Sequence, residues 1–326
     1  MRALVTGGAG FIGSHLVDAL LDLGFEVTAF DRLSTGHLTF LDGPLGNNGT
    51  NPNPRFKFVK GDVKDTNKIC NAMKDVDLVF HLAANADVRG GIRNTQIDIA
   101  ENTLGTHSVL EAARINDVER VLFTSSAVVY GEPKVIPTPE EYNGHQTSLY
   151  GASKLAAEGL LQAYTTYYNF ESYIFRFVSL MGERYTHGVV FDFVKKLFAD
   201  PKRLEILGDG SQKKSYLYVK DAIQGMVQVM EKKTARRGVA ETYNLGNIDT
   251  LTAKEVAEIV CDELGLDSVI FSYTGGPRGW IGDSPYVLLD VRKLLRLGWS
   301  PSLSTEECVR ITASYLANHL QLINRP

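Results

Sequence analysis

The fold is decided near the start of the chain, in the stretch Ala3-Leu4-Val5-Thr6-Gly7-Gly8-Ala9-Gly10-Phe11-Ile12-Gly13. A short apolar segment runs there into glycines 7, 10 and 13, and an amphipathic segment follows over residues 14–23. This order predicts a strand, a tight glycine turn and a helix. Such a turn lets the backbone approach a pyrophosphate, which then lies over the free N–H groups and the positive end of the helix dipole.

A second predicted strand covers residues 26–30 and ends in Asp31, 18 residues after Gly13. A carboxylate at this place suits a ribose diol and repels a 2′-phosphate, so it favours NAD over NADP. Arg32 follows directly and weakens this preference. A lone glycine triplet is often only a tight loop, but here strand, helix, second strand and terminal acid all fall where a mononucleotide-binding unit needs them. We therefore predict dinucleotide binding.

Strands and helices alternate along the rest of the chain, which predicts an α/β fold with a doubly wound parallel sheet of the Rossmann type. Further strands are predicted over residues 56–59, 78–82, 121–125 and 172–177, and a strand over residues 242–246 returns to the same sheet. We expect an NAD-binding domain over residues 1–177 plus about 222–262. A smaller C-terminal α/β substrate-binding lobe is expected over residues 178–221 plus 263–326. Residues 42–54 are predicted as a loop, and the glycosylation pattern Asn48-Gly49-Thr50 within it is assigned no function.

Composition narrows the function classes. The 326 residues carry a net charge of −4 with mixed signs, so neither nucleic acid nor an anionic membrane is an expected partner. The first strand starts at the third residue, which leaves no room for a signal peptide, and no apolar run approaches the ~20 residues of a membrane span, so we expect a cytoplasmic protein. Cys70, Cys261 and Cys308 lack the paired spacing of metal ligands, and no metal is expected.

Tyr150-Gly151-Ala152-Ser153-Lys154 carries the chemistry that the sequence predicts. Four-residue spacing puts a phenol and an ammonium on one face of a helix, one turn apart. A tyrosine loses its proton near pH ~10, and bringing its pKa to ~7 requires stabilising the phenolate by roughly 4 kcal/mol, which an adjacent cation largely supplies. The same spacing also occurs in helices whose tyrosine only packs and whose lysine only meets water, so the pattern alone leaves both interpretations open.

Several motifs together resemble those of the extended short-chain dehydrogenase/reductase family of NAD-dependent nucleotide-sugar epimerases and dehydratases. They are Thr6-Gly7-x-x-Gly10-x-x-Gly13, Asp31, Gly61-Asp62-Val63, His81-Leu82-Ala83-Ala84, Asn102-x-x-Gly105-Thr106, Thr124-Ser125-Ser126 and Tyr150-x-x-x-Lys154. The likeness runs from Met1 to about Trp299, and within the family the chain is most similar to the UDP-galactose 4-epimerase group.

The resemblance implies a catalytic set of Ser126, Tyr150 and Lys154. It also implies an NAD-binding set made of the glycine turn, the ends of the following strands and the catalytic helix. That set is Gly7, Gly10, Phe11, Ile12, Gly13, Asp31, Arg32, Asp62, Val63, Leu82, Ala83, Ala84, Asn102, Tyr150, Lys154 and Val178. For the substrate, the resemblance implies contacts from Asn85, Ser126, Tyr150, Ser179, Lys214 and Arg278. Ser179 and Lys214 stand where the family usually has asparagine and arginine.

In the mechanism that the resemblance implies, Tyr150 takes the proton of the sugar 4-hydroxyl while carbon 4 gives a hydride to NAD, which leaves a 4-keto sugar. Family dehydratases have an acidic pair directly after the serine or threonine, and this chain has Ala127-Val128 there. Epimerisation of a nucleotide sugar at carbon 4, with a UDP-sugar such as UDP-glucose or UDP-galactose, is therefore favoured. A 4,6-dehydratase or 4-ketoreductase and a non-catalytic NAD-binding protein remain alternatives. The resemblance further implies a homodimer built from helices near residues 94–115 and 150–168.

Overall fold

The computed structural model describes residues 1–46, 51–232 and 234–323, so Asn48-Gly49-Thr50 lies outside the described residues. In chain order the strands are β1 (Arg2–Thr6), β2 (Glu26–Asp31), β3 (Phe56–Lys60), β4 (Leu78–His81), β5 (Arg120–Ser126), β6 (Glu171–Phe177), β7 (Ser179–Met181), β8 (Arg203–Ile206), β9 (Lys213–Lys214), β10 (Tyr216–Tyr218), β11 (Ala240–Leu245), β12 (Leu251–Thr252), β13 (Ile270–Tyr273) and β14 (Tyr286–Val287). The α-helices are α1 (Phe11–Asp22), α2 (Asp42–Leu45), α3 (Thr66–Ala72), α4 (Gly90–Arg93), α5 (Gly105–Ile115), α6 (Leu149–Tyr168), α7 (Val189–Ala199), α8 (Val219–Lys232), α9 (Ala253–Glu263), α10 (Arg292–Leu295), α11 (Thr305–Asn318) and α12 (Leu320–Ile323).

The chain divides into two compact units, the first of which comprises Met1–Val129, Ser148–Arg176 and Met226–Tyr243. Its sheet has seven strands in the order β11-β6-β5-β4-β1-β2-β3, which confirms the predicted doubly wound Rossmann fold. Strand β1 pairs in parallel with β2 on one side and with β4 on the other, so the strand order reverses at β1. Ligands of such sheets bind beyond the carboxyl ends of the strands at this reversal.

Apolar side chains of this sheet pack against helices of the first unit because parallel strands covered by helices are buried on both faces. The core of this unit includes Leu4, Phe30, Val79, Val121, Phe123 and Ile174 from the strands, and Ile69, Val109, Leu110, Ala113, Ala157 and Leu161 from α3, α5 and α6. Burying these residues fixes the strand ends from which the site residues extend.

The second unit comprises Tyr130–Thr147, Phe177–Gly225 and Asn244–Pro326. It contains three small sheets, in which β10 pairs with β7, β13 with β8, and β9 lies between β12 and β14. Helices α7, α9 and α11 pack on one another. Both α9 and α11 begin with a capping box, formed by Thr252 with Glu255 and by Ser304 with Glu307, which satisfies N–H groups at the helix starts.

The predicted strands of the main sheet are present within one or two residues of their expected bounds. Helix α1 begins at Phe11, three residues before the amphipathic segment that predicted it, because the glycine turn itself provides the first helical turn. The segment predicted as a loop over residues 42–54 begins with the single helical turn α2. The domain boundaries expected from the sequence stay a prediction.

Candidate active site

The glycine turn brings the end of β1 against the end of β4. Gly7 has a φ of +70°, and a Cβ on it would lie 2.9 Å from the Ala83 nitrogen. A Cβ on Gly13 would lie 2.0 Å from the Gly7 carbonyl oxygen, so only glycine fits at the start of α1. Among the described residues no side chain caps the N-terminus of α1, and its first turn holds no acidic residue. Because the N–H groups and dipole of a helix start attract anions, this turn fits the pyrophosphate of NAD.

A buried chain of hydrogen bonds ties these strand ends to α5. The Thr6 hydroxyl accepts the N–H groups of Leu82 and Ala83, each at 3.1 Å, and lies 2.8 Å from His81 Nδ1. His81 Nε2 lies 3.0 Å from the Thr106 hydroxyl, which donates to the Asn102 carbonyl at 2.5 Å. These partners assign the neutral Nε2–H form of His81, with Nδ1 as acceptor. Burial and the nearby charge of Lys154 lower the pKa of His81 to about 3.

Asp31 closes the loop that follows β2. Its carboxylate accepts the N–H of Leu33 at 2.7 Å and the N–H of Ala9 at 3.1 Å. The side chain therefore connects the end of β2 to the glycine turn, and burial raises its pKa. This position at the end of β2 is the one that a ribose-binding acid requires.

The remaining predicted NAD residues of the first unit surround the same edge. Asp62 accepts the N–H of Lys64 at 2.9 Å, and Val63 is buried beside Gly105. Asn102 is buried and joins two segments: its Oδ1 accepts the N–H of Asn85 at 2.8 Å, and its Nδ2 donates to the Ser153 hydroxyl at 2.9 Å. Asn102 lies in a π-helical turn, Ile99–Leu104, which directly precedes α5.

The structure brings Ser126, Tyr150 and Lys154 together at the junction of β5 and α6. Helix α6 starts at Leu149 because the Ser148 side chain accepts the Gly151 N–H at 3.0 Å and caps it. Ser126 ends β5, and its hydroxyl acts to lower the pKa of the Tyr150 phenol. One turn along α6, Lys154 is buried, donates to the Thr124 carbonyl at 3.0 Å and lies 4.9 Å from the centre of the Phe123 ring.

The electrostatics of this pair differ from the simple expectation. Burial and the negative charge of Asp98 raise the pKa of Tyr150 to about 12, and the Ser126 hydroxyl opposes this rise. Burial lowers the pKa of Lys154 to about 8, with Glu158 opposing the change. The lowering of the phenol pKa that the sequence predicted from Lys154 is therefore outweighed in the protein alone by burial and by a carboxylate that the sequence did not reveal.

Two buried acids near the catalytic pair were missed in the sequence. Glu158 lies one turn beyond Lys154 and binds Arg176 through two hydrogen bonds, Nε to Oε1 at 3.0 Å and Nη2 to Oε2 at 2.6 Å. The repeat of four residues from Tyr150 to Lys154 to Glu158 is a signal that could have revealed it. Asp98 is buried and accepts the Asn85 side-chain amide at 2.8 Å, a contact across a loop that no periodicity indicates.

The predicted substrate residues are divided between the units. In the first unit, the Asn85 amide also donates to the Asp87 carbonyl at 3.1 Å, so two partners fix its orientation. In the second unit, Ser179 is exposed on β7, and the buried Val178 donates its N–H to the Leu245 carbonyl at 3.0 Å.

Lys214 and Arg278 meet at Asp283 in the second unit. The Lys214 ammonium pairs with Asp283 Oδ1 at 2.5 Å, and Arg278 donates to the Asp283 carbonyl at 2.7 Å. Arg278 also donates to Glu132 at 2.7 Å. The two cations that were predicted from separate segments of the sequence therefore belong to one cluster.

Over residues 1–46, 51–232 and 234–323, no cluster of His, Cys, Asp and Glu side chains could hold a metal ion. Within these same ranges, no helix is long and apolar enough to span a membrane.

Comparison with known proteins relates this geometry to enzymes. The model of the NAD-dependent epimerase/dehydratase family matches residues 3–246. A UDP-glucose 4-epimerase of Mycolicibacterium smegmatis is 32% identical over 330 residues, covering 98% of this chain and 100% of that protein. A crystal structure of a UDP-galactose 4-epimerase has a TM-score of 0.86 and 38% identity, and the match covers 98% of this chain and 100% of that one. The dTDP-glucose 4,6-dehydratase DesIV of Streptomyces venezuelae, solved with NAD, has a TM-score of 0.88 and 29% identity, with 98% of each chain covered.

Proposed function

The chain belongs to the NAD-dependent epimerase/dehydratase family, and on that premise we propose that it interconverts the carbon-4 epimers of a nucleotide sugar, with a UDP-hexose such as UDP-glucose or UDP-galactose as substrate. The family is NAD-dependent, and the glycine turn with its uncapped helix start and Asp31 fits that cofactor. The identity of the sugar and the reaction at carbon 4 are the parts of this statement that are proposed.

One observation carries the proposal: the acid/base group of Ser126, Tyr150 and Lys154 is intact, and the two residues after Ser126 cannot move a proton. Ala127 is buried, and the N–H of Val128 donates to the Ser126 hydroxyl at 3.2 Å. A 4,6-dehydratase must protonate the departing hydroxyl and remove a proton next to the ketone. Alanine and valine offer neither group, so the 4-keto sugar has no route forward at this place except return of the hydride.

Each catalytic side chain has a defined task in this reaction. Ser126 hydrogen-bonds the substrate 4-hydroxyl and the phenol, which aligns them for proton transfer. Tyr150 takes the hydroxyl proton as the C4–H bond breaks, and it returns a proton when that bond forms again on the opposite face of the sugar. When bound, NAD would supply the hydride acceptor for this reaction, and its pyridinium charge would favour the phenolate. Because the pKa of Tyr150 is about 12 in the protein alone, where Lys154 is already charged, the base forms only when further positive charge stands beside it.

The proposed role of Lys154 follows from its burial. Its ammonium stays charged at neutral pH because the pKa, lowered to about 8, is still above 7. It is held between the Thr124 carbonyl and the Phe123 ring, one helical turn from Tyr150. From there it supports both the phenolate and the ribose that the family binds with this lysine.

We also propose that the protein is a homodimer that uses α5 and α6. Both helices expose large apolar side chains, namely Leu104 just before α5, Ile115 at its end, and Leu155, Tyr167 and Tyr168 on α6. Exposed apolar side chains on both helices support an interface between subunits that uses these helices. Light scattering of the purified protein tests this, and a monomer at micromolar concentration would contradict it.

The decisive experiment incubates the purified protein with UDP-glucose, and separately with UDP-galactose, without added nucleotide. We expect NMR to show interconversion of the two sugars, because an epimerase returns each hydride to its own substrate. Loss of water with accumulation of a 4-keto-6-deoxy sugar would establish a dehydratase instead. Consumption of added reduced nucleotide in proportion to product would establish a ketoreductase. If neither UDP-hexose reacts, a panel of other nucleotide sugars decides between another substrate and a protein that does not catalyse.

Replacing the phenol provides the matched control. Tyr150→Phe removes one oxygen and keeps the ring, so we expect turnover to fall by about 10²-fold or more, the range for a lost general acid/base, while NAD binding is retained. Tyr142 is a tyrosine outside the catalytic set, and its phenol oxygen accepts the Lys134 N–H at 3.1 Å. The control variant Tyr142→Phe should therefore stay active. An active Tyr150→Phe protein would refute the assigned role.

A further inference from the structure

Asp31 and Arg32 give opposite indications for the cofactor. A carboxylate at the end of β2 favours the ribose diol of NAD, whereas an arginine beside it is a ready partner for the 2′-phosphate of NADP. Both residues lie in the first unit, where Asp31 ends β2 and Arg32 follows it. The preference for NAD or NADP therefore depends on which groups the Arg32 guanidinium contacts.

Arg32 is held by two carboxylates that come from distant parts of the chain. Its Nη1 lies 2.9 Å from Glu101 Oε2 and 3.2 Å from Asp62 Oδ2, and its Nε donates to the Ser34 hydroxyl at 2.9 Å. The side chain of Glu101 is only 12% exposed, whereas that of Arg32 is 37% exposed. Glu101 is thus the better buried partner, where a charge pair is screened least by solvent.

Lys64 completes this cluster of two acids and two bases. Its ammonium lies 2.5 Å from Glu101 Oε1 and 3.7 Å from Asp62 Oδ2. Each oxygen of Glu101 therefore faces a different cation. Since the four charges balance, the cluster gives little net attraction for an additional phosphate.

The π-helical turn Ile99–Leu104 explains how Glu101 reaches Arg32. The next residue, Asn102, points to Asn85 and Ser153 near the catalytic helix, whereas Glu101 points to β2 and to the loop after β3. Such turns place neighbouring side chains at angles that a regular helix does not give, and they are frequent at functional sites. This one π-helical turn therefore contacts both the catalytic helix α6, through Asn102, and the residue that follows Asp31, through Glu101.

We propose that Glu101 is a cofactor-specificity residue: by holding Arg32 against Asp62, it withholds the guanidinium from a 2′-phosphate and makes the protein selective for NAD over NADP. Releasing Arg32 costs two charge-assisted contacts, and Asp31, beside it, repels the phosphate that would replace them. The residue does not touch the reacting atoms, and the proposal does not depend on which sugar is the substrate.

The test compares binding of NAD and NADP by titration calorimetry to nucleotide-free protein and to Glu101→Gln. We expect the ratio of the NADP to the NAD dissociation constant to fall at least roughly tenfold in the variant, which is the effect of one new charge-assisted hydrogen bond. Glu26→Gln makes the same chemical change at an exposed position at the start of β2, and there the ratio should not change. An unchanged ratio in Glu101→Gln, or an equal fall in Glu26→Gln, would overturn the proposal.

Arg32→Ala separates the release of Arg32 from a general change in charge. In the double variant Arg32→Ala/Glu101→Gln the gain in NADP affinity should disappear, and a retained gain would contradict the proposal. In the single variant Arg32→Ala the ratio of the NADP to the NAD dissociation constant should rise by less than about tenfold, because the native guanidinium makes no phosphate contact and only the charge balance of the cluster changes. A rise of about tenfold or more, the effect of a lost charge-assisted hydrogen bond, would mean that Arg32 already binds the phosphate. This exposed substitution also keeps the test decisive if Glu101→Gln does not fold.

Discussion

Glu158→Gln is the substitution for which the structure gives the clearest expected magnitude. Glu158 and Arg176 have side chains that are 2% and 10% exposed and are joined by two hydrogen bonds of 3.0 Å and 2.6 Å. The amide of glutamine has nearly the same shape, but it accepts at one atom only and carries no charge. The substitution removes one charge of a buried ion pair, and removing one partner of such a pair costs about 3–5 kcal/mol of unfolding free energy.

The same change also reaches the catalytic helix, because the Glu158 charge opposes the fall of the Lys154 pKa to about 8. Without that charge the pKa of Lys154 moves further down. A pKa of about 8 leaves roughly nine tenths of the lysine charged at pH 7, and any further fall of the pKa lowers that fraction. We therefore expect turnover at pH 7 to fall and to become more dependent on pH.

Urea unfolding followed by circular dichroism measures the first effect, and rates of sugar interconversion from pH 6 to 9 measure the second. Glu119→Gln is the matched control, because Glu119 pairs with Arg237 at 3.4 Å while both side chains are more than half exposed. That substitution should cost less than about 1 kcal/mol. In Glu158→Gln/Arg176→Met the buried charge is gone, so stability should recover in part. If Glu158→Gln were as mild as Glu119→Gln, the reasoning from burial would be refuted.

Three further predictions use other features of the first unit. The pKa of His81 is about 3 in the folded protein and about 6.5 in the unfolded chain. The free energy of unfolding should therefore fall as the pH drops from about 6.5 towards 3. Urea titrations should show a flatter pH dependence for His81→Asn, and equal slopes in the two proteins would contradict the neutral form assigned to His81. Asp98→Asn removes a negative charge that, with burial, raises the pKa of Tyr150. The rising limb of kcat/KM against pH should therefore move down by about half a pH unit or more. A rising limb that stays in place or moves up would contradict this effect of Asp98 on Tyr150. Gly13→Ala should abolish NADH binding measured by fluorescence because its Cβ would lie 2.0 Å from the Gly7 carbonyl oxygen. Gly159→Ala should bind NADH normally, because a Cβ there would meet no described atom within 4 Å apart from the nearby backbone of its own helix. Equal behaviour of the two variants would refute the steric argument.

What the sequence predicted well are features that depend on neighbours in the chain. The glycines at 7, 10 and 13, the acid at the end of β2 and the four-residue spacing of Tyr150 and Lys154 each have a local pattern, and each local pattern corresponds to a local structure. Alternating apolar segments predicted the seven-stranded sheet for the same reason. The helix α1 starts earlier than predicted only because glycine has no place in an amphipathic pattern.

What the sequence did not predict are contacts between residues that lie far apart in it. Asp98 reaches Asn85 across a loop, Glu101 reaches Arg32 from a π-helical turn, and Arg176 meets Glu158 from the next strand. The pKa of Tyr150 is raised by burial and by Asp98, and neither cause can be deduced from the spacing of residues along a helix. Contacts of this kind require the sheet order and the exact turn, which only the three-dimensional structure provides.

The neutral His81 ring, clamped between the hydroxyls of Thr6 and Thr106, has a consequence for nucleotide binding. Its hydrogen bonds connect the carboxyl ends of β1 and β4 to α5 without the help of a ligand. These strand ends therefore lose little conformational entropy when a nucleotide binds. Less of the free energy of dinucleotide binding is then needed to order the protein, which is the advantage of a preorganised binding site.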